Sequence, residues 1–404
     1  MEKKGTKKMN RRHGTAFAIL LALVFTLFTP AGAPRAASVT KEITTNKACV
    51  DRLQNADDEK IYTFTVGTSG YFTISFGKLH EEDDAQFGWD MELCTESGKV
   101  LRAWDKVKEK QTTGRFNFKK GTKLCIRVKA DWNGDFYAPV GVAYSLKVAA
   151  YDSDKWEQED NNDMQNATLL RAGSAGKLGT LWNETDVDWY AYTVDQAGYF
   201  RIRLVNLSST ELGHGWNVSL HDPKGKMLKK WKNIRSGETS VKLNYKKGTQ
   251  LFFKVEAAMD SESFAPVDKQ YKILVISKAD SSWEQESRDN NKNDNTITVG
   301  KTVHGTMISE KDRDNYTVVA DKAGRLRITL SNAYPNKELG YGWNLQICDT
   351  KGRVLKESKK IRTKQTIGVT VKKGTACVVK VSPNWESESF APIDDIYLLK
   401  AVIK

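Results

Sequence analysis

Three tryptophans, Trp89, Trp216 and Trp343, each follow a glycine and precede Asp or Asn, and they stand 127 residues apart both times. The repeat extends well beyond them. Lys-Lys-Gly-Thr recurs from Lys119, Lys246 and Lys372, and Ala-Pro-Val/Ile recurs at Ala138, Ala265 and Ala391. Tyr62, Tyr190 and Tyr316 are each followed eight residues on by a glycine (Gly70, Gly198, Gly324). A period of this length is too long for a solenoid repeat and long enough for a domain with its own core. The chain is therefore a triplication, and whatever one copy folds into the others must fold into as well.

Within a copy the apolar pattern has the period of a strand. Phe200-Arg201-Ile202-Arg203-Leu204 and Leu326-Arg327-Ile328-Thr329-Leu330 alternate apolar and polar side chains from the same point after the shared glycine. Ser240–Leu243, Leu251–Val255 and Tyr271–Val275 read as further strands, separated by turns such as Asp222-Pro223-Lys224-Gly225. No long helical period occurs. The expected fold is all-β, with three tandem antiparallel β-sandwiches, jelly-roll-like, over 38–152, 153–280 and 281–404.

Charge enters when residues 1–37 are considered. The chain carries 63 Lys+Arg against 50 Asp+Glu, a formal +13 that invites a nucleic-acid reading. Seven of the basic residues and one acid lie in 1–37, around an apolar run from Ala16 to Phe28 followed by Pro30 and small residues. That is the pattern of a secretory signal peptide, with cleavage expected after Ala33 or Ala37. The run is too short to span a bilayer comfortably, and the remainder carries only +7. A secreted monomer is expected, extracellular or loosely surface-associated, with neither nucleic acid nor membrane insertion. Five cysteines leave one odd. Cys94 and Cys348 are equivalent, whereas Cys125 and Cys377 fall one residue out of step, which puts them on opposite faces of a strand. Buried free thiols are the expectation.

The most specific local signal lies at the two junctions between copies. Copy two opens with Trp156-Glu157-Gln158-Glu159-Asp160-Asn161-Asn162, and copy three with Trp283-Glu284-Gln285-Glu286, then Asp289-Asn290-Asn291 after a two-residue insertion. Some 25 residues later come Asp186-Val187-Asp188-Trp189-Tyr190 and Asp312-Arg313-Asp314-Asn315-Tyr316. Copy one lacks the opening and has Lys60 in place of the second aspartate, in Asp58-Glu59-Lys60-Ile61-Tyr62.

This combination resembles the bacterial pre-peptidase C-terminal domain family, well in copies two and three and weakly in copy one. The resemblance implies secreted, non-catalytic β-sandwich modules, similar to the collagen-binding domains of clostridial collagenases, which bind calcium at this acidic linker. Calcium takes six to eight oxygen ligands. The implied donors are Glu157, Glu159, Asn161, Asp186 and Asp188 in copy two, and Glu284, Glu286, Asn290, Asp312 and Asp314 in copy three. The bland alternative is a solvated acidic linker with Asx turns.

No nucleophile elbow, phosphate-cradling loop, CxxC pair or His-x-x-x-His occurs, and the five histidines occupy no equivalent positions. Three copies fill nearly the whole chain, so the expected role is binding rather than catalysis. Repetition favours multivalent capture of a host extracellular protein, an immunoglobulin or a matrix protein such as collagen. The alternatives are a carbohydrate-binding protein and an accessory or inhibitory partner of a secreted protease. Two sets of aromatic and apolar anchors are candidates for ligand contact. One is the tip of the loop before Ala-Pro (Trp132, Met259, Trp385); the other is Trp104 and Trp231, with Ser358 in the third copy. Trp89, Trp216 and Trp343 read as core.

Overall fold

The computed structural model describes residues 38–131, 137–208, 212–259, 265–286, 295–384 and 391–404. All of its regular structure is β, arranged as six sheets in three pairs. In copy two, the five-stranded sheet runs in the order Thr168–Leu169, Val187–Thr193, Gln250–Ala257, Trp216–His221, Met227–Ile234. Facing it is a four-stranded sheet, Lys177–Thr180, Gln270–Ala279, Gly198–Asn206, Gly237–Thr239. Copies one and three repeat this order strand for strand. The ladders are antiparallel except for the first strand of each five-stranded sheet, which lies parallel to its neighbour (for example Thr168 beside Tyr190).

Alternation places one row of side chains between the sheets. Gly198–Asn206 buries Phe200, Ile202 and Leu204, and Gly324–Asn332 buries Leu326, Ile328 and Leu330 at the same register. Trp89, Trp216 and Trp343 are fully buried, each edge-on to the core tyrosine of its copy, Tyr144, Tyr271 or Tyr397. The buried apolar residues form three separate cores, one per copy. Among the described residues, two side chains in these clusters come from the following copy. Trp182 of copy two belongs to the core of copy one, and Ile308 of copy three packs against that of copy two.

One expected strand does not form. Ser240–Leu243 keeps only a single bridge, Leu243 to Phe200. The equivalent segment of copy three is a full strand, Lys364–Val371, paired over eight residues with Gly324–Ser331. The reason is a one-residue bulge: two residues separate Ser240 from Leu243 while one separates Ile202 from Phe200, and Ser240 Oγ accepts the Ile202 N–H (2.9 Å). In copies one and two the chain after this point turns its hydrogen bonds to the linker of the next copy: Glu159 N donates to Asn117 O (2.9 Å) and Lys119 N to Glu159 O (2.9 Å). Glu286 N donates to Asn244 O (2.8 Å) and Lys246 N to Glu286 O (3.1 Å) in the same way. Each linker is thus a short parallel addition to the preceding sandwich.

All five cysteines are free thiols, four of them buried. Cys94 stands directly across from Cys125, whereas Cys348 faces Val378 and Cys377 faces Val318, which is the one-residue offset read from the sequence. Burial pushes the Cys94 thiol up to about 11.

Candidate metal centres at the junctions

The linker of copy two threads between the two sandwiches, so its acids are buried rather than solvated. Glu157, Glu159, Asn161, Asp186 and Asp188 are each no more than 3% exposed. Three things bring them together. The bridges of Trp156 to Leu178 and of Phe118 to Glu159 fix the linker, and the Val187–Thr193 strand carries Asp188. Trp156 packs on Tyr71 of copy one with Arg115 over both rings, and Trp283, Tyr199 and Lys242 repeat the arrangement at the next junction.

At the floor of the cluster lie two phenols. The hydroxyl oxygens of Tyr190 and Tyr271 lie 2.7 Å apart, Tyr190 donates to Glu157 Oε2, and Tyr271 donates to Asp188 Oδ2 (2.5 Å). Glu157 Oε1 accepts the Thr180 N–H (3.0 Å), Asn161 Nδ2 donates to Glu157 Oε2 (3.1 Å), and Asp186 Oδ2 accepts the Trp182 N–H (2.9 Å). One oxygen on each of four residues has no partner at all: Glu159 Oε1, Asn161 Oδ1, Asp186 Oδ1 and Asp188 Oδ1. Carboxylate oxygens of Glu157, Glu159 and Asp188 lie within 4.8 Å of one another.

Four buried carboxyl groups with no basic side chain among their hydrogen-bond partners are electrostatically untenable as free anions. Burial pushes Glu157 up to about 7 and Asp186 up to about 8. Burial, then repulsion from Asp186 and Glu157, raises Glu159 well above the usual carboxylate range; Asp188 is raised by burial and by Glu157, Asp186 and Glu159. A divalent cation would offset the repulsion, and an all-oxygen donor set with unpartnered lone pairs fits calcium. Glu157, Glu159, Asn161, Asp186 and Asp188 would hold it.

Copy three repeats the arrangement with fewer spare oxygens. Glu284, Glu286, Asp312 and Asp314 are buried, and Tyr316 and Tyr397 hold Glu284 and Asp314 as their counterparts do in copy two. Burial pushes Glu284 up to about 7 and raises Glu286 and Asp314 well above the usual range. Asp312, however, spends both oxygens on the N–H groups of Ile308 and Arg313 (2.8 Å each), and Glu286 Oε1 is left unpartnered. Asn290 lies outside the described residues.

Copy one is built differently. Lys60 occupies the register of Asp188 and Asp314, opposite Val128 as they are opposite Val255 and Val381. The hydroxyls of its two phenols, Tyr62 and Tyr144, are 2.5 Å apart, and Tyr62 donates to Asp51 (3.1 Å), a residue of the facing sheet of the same copy rather than of a linker. Burial alone would raise Asp58, but the N–H groups of Gln54 and Asn55, the Asn55 side chain and Lys60 hold it below the ordinary range.

Three partners of the clusters escaped the sequence reading: the phenol pair, Gly179 and Gly305 beside it, and Asn117 and Asn244, which reach in from the preceding copy. Asn244 Nδ2 donates to Glu284 Oε1 (3.2 Å), and Thr306 donates to Asn244 Oδ1 (3.3 Å). The signal was present in the sequence. Asn117 and Asn244 sit two residues before Lys-Lys-Gly-Thr in the copies that are followed by a linker, and Thr370 stands there in copy three.

Of the proposed ligand anchors, Trp132 and Trp385 lie outside the described residues. Met259 is 41% exposed. Trp104 and Trp231 are half-buried: Trp104 stands edge-on to Phe116, and Lys229 lies over Trp231. Register confirms Ser358 as their counterpart, opposite Leu345 as they are opposite Met91 and Val218.

Fold and site together define a tandem β-sandwich protein with oxygen-donor clusters buried at its two junctions. No family model matches the chain, and no curated protein matches it. Among solved structures it is similar to the pre-peptidase C-terminal domain of a collagenase from Bacillus anthracis, at 22% identity over 28% of this chain and 96% of that one, TM-score 0.22. It is also similar to the tandem CBM51 modules of a family 98 glycoside hydrolase from Streptococcus pneumoniae SP3-BS71, at 10% identity over 58% of this chain and 85% of that one, TM-score 0.19. A third is the CUB1-EGF-CUB2 segment of rat MASP-1, at 11% identity over 59% and 100%, TM-score 0.20.

Proposed function

We propose that this chain is a secreted, non-catalytic binding protein whose three sandwiches are set in a fixed array by calcium at the two junctions. The observation that carries this reading is the copy-two cluster: four buried carboxyl groups, and four buried oxygens without a hydrogen-bond partner, at the point where one module meets the next. Calcium supplies charge compensation there and nothing is turned over. Glu157 and Asp188 are oriented by the two phenols, Asp186 by the Trp182 N–H, and Asn161 by its own contact to Glu157. Holding them also holds the linker against the preceding copy, so the cation organises the array rather than one module.

The ligand we infer is a host extracellular protein, an immunoglobulin or a matrix protein such as collagen. The resemblance of the linkers to those of collagen-binding domains supports this, as does the repetition of a module in one chain, which suits avidity. Surface plasmon resonance of residues 38–404 over immobilised immunoglobulin and collagen, in calcium and in chelator, tests it. Calcium-dependent capture of one of the two is expected. No binding to either, with binding to a glycan array instead, overturns the ligand, and a melting temperature indifferent to chelator overturns the cation.

A further inference from the structure

The junctions have a second half that does not involve the linker, and copy three carries that half uncovered. In copy one the edge strand Val100–Val107 presents Leu101 and Arg102 to copy two. Leu101 is 8% exposed and shares a core with Trp182 of copy two. Arg102 Nη2 lies 3.5 Å from Asp268 Oδ2, on the Ala-Pro-Val-Asp loop of copy two, and Val267 faces the same strand across a cleft. Copy two repeats this toward copy three. Leu228 and Ile308 pack at the copy-two core, and Lys229 pairs with Asp394, on the Ala-Pro-Ile-Asp loop. Asp268 and Asp394 both have positive φ (58° and 67°), so the two loops share one backbone conformation at this position. The socket is thus a leucine followed by a cation, and the plug an apolar side chain with an aspartate beside it.

Register places Leu355 and Lys356 in the same socket on copy three. Lys356 stands opposite Ile347 as Arg102 does opposite Leu93 and Lys229 opposite Leu220. Here the leucine is uncovered: Leu355 is 40% exposed, against 8% for Leu101. The surrounding hairpin, residues 351–364, carries seven Lys/Arg and one Glu. The side chains that receive a linker are replaced, Gly368 for Lys242 and Thr370 for Asn244.

A second copy of this chain does not supply the plug. The loop position of Asp268 and Asp394 is Gly141 in copy one, and the other two aspartates are already engaged within the chain. Copy one also closes the other half of its outer face, because Asp51 fills the place that a preceding linker's glutamate would take. We infer that the Val354–Ile361 edge of copy three is a docking surface for a different protein, one presenting an exposed carboxylate beside a branched or aromatic apolar side chain. The inference rests on junction geometry and stands whether or not the clusters bind calcium.

The test uses residues 38–404 and, as probe, a cyclised peptide with the sequence of residues 265–270 (Ala-Pro-Val-Asp-Lys-Gln) at millimolar concentration. Hydrogen–deuterium exchange should slow at residues 354–357, and Lys356→Glu should raise the peptide concentration for half-protection by about tenfold with an unchanged melting temperature. A peptide with Ala at the Asp268 position should not protect. Three results would overturn the proposal: no protection, equal protection by the Asp→Ala peptide, or protection by a heparin fragment alone. Sedimentation showing that the chain self-associates through this strand would also overturn it.

Discussion

Glu157 occupies the space that a side chain on Gly179 would need: a Cβ built there stands 2.4 Å from Glu157 Oε1 and 2.6 Å from the Tyr271 hydroxyl. Gly305 bears the same relation to Glu284 and Tyr397 (2.7 and 2.3 Å). In copy one the equivalent position, opposite Tyr144 as Gly179 is opposite Tyr271, is Asp51. So a sandwich with a preceding linker gives up a side chain to admit a carboxylate from outside, and the one without a comparable linker grows its own. Gly179→Ala should expel Glu157, costing about 1–3 kcal/mol of stability and abolishing the calcium response of the first junction. Thermal melts with and without calcium check it. An alanine variant that melts and binds as the parent does contradicts the packing argument.

Calcium stoichiometry should be two per chain, with the copy-two site the tighter. Lys60 puts a fixed cation into the copy-one position, and Asp312 has both oxygens committed while Asp186 keeps one free. Isothermal titration calorimetry of the chelated chain measures this directly. At a hundredfold excess over Kd, each site should add about 2.7 kcal/mol of stability. A third equivalent lost on Asp58→Asn would show that copy one binds after all.

Removing a charge should separate the folding and binding roles of the cluster. Asp188→Asn keeps an acceptor for Tyr271 and relieves repulsion from Glu157, Asp186 and Glu159. It should therefore stabilise the chelated protein while weakening calcium binding by at least about tenfold. Paired urea denaturation in chelator and in calcium reads both effects. Destabilisation in chelator would mean that the carboxylates are not in conflict.

Stability of the cation-free chain should fall as pH rises. Glu157 and Asp186 have folded-state values of about 7 and about 8, above the unfolded values of ~4. Between these limits the folded chain therefore binds more protons than the unfolded one, and folding is progressively disfavoured from pH ~4 to pH ~8. Calcium needs the ionised forms, so its affinity should rise across the same window and flatten or reverse the slope. Denaturation across this range, with and without chelator, decides it; a chelated chain that gains stability toward neutral pH contradicts the assignment.

Trp156, only 3% exposed and stacked on Tyr71 under Arg115, couples copy one to copy two. Trp156→Ala should cost about 3–5 kcal/mol and split a shared calorimetric transition into two, with Trp283→Ala doing the same at the second junction. One unsplit transition in both variants would show that the modules do not depend on these contacts.

The sequence by itself determined a good deal of this. A repeated tryptophan with strand-period alternation around it leaves three β-sandwiches as the solution, because each copy must bury the same side chains. The acidic residues of the junctions were legible for the same reason: Glu157, Glu159, Asp186 and Asp188 recur as a set. What only the tertiary structure decided was where those acids go. Read along the chain, Trp156–Asn162 is a polar linker, and nothing local says that it lies between two cores. Its burial depends on partners far away in sequence, among them Gly179, Tyr271 and the backbone of Asn117. Copy three has Thr370 in place of the asparagine, and its Lys364–Val371 strand pairs without a bulge. Local pattern fixes which residues face a core, whereas the N–H and C=O partners that a polar linker finds on another copy are settled only when both are present in space.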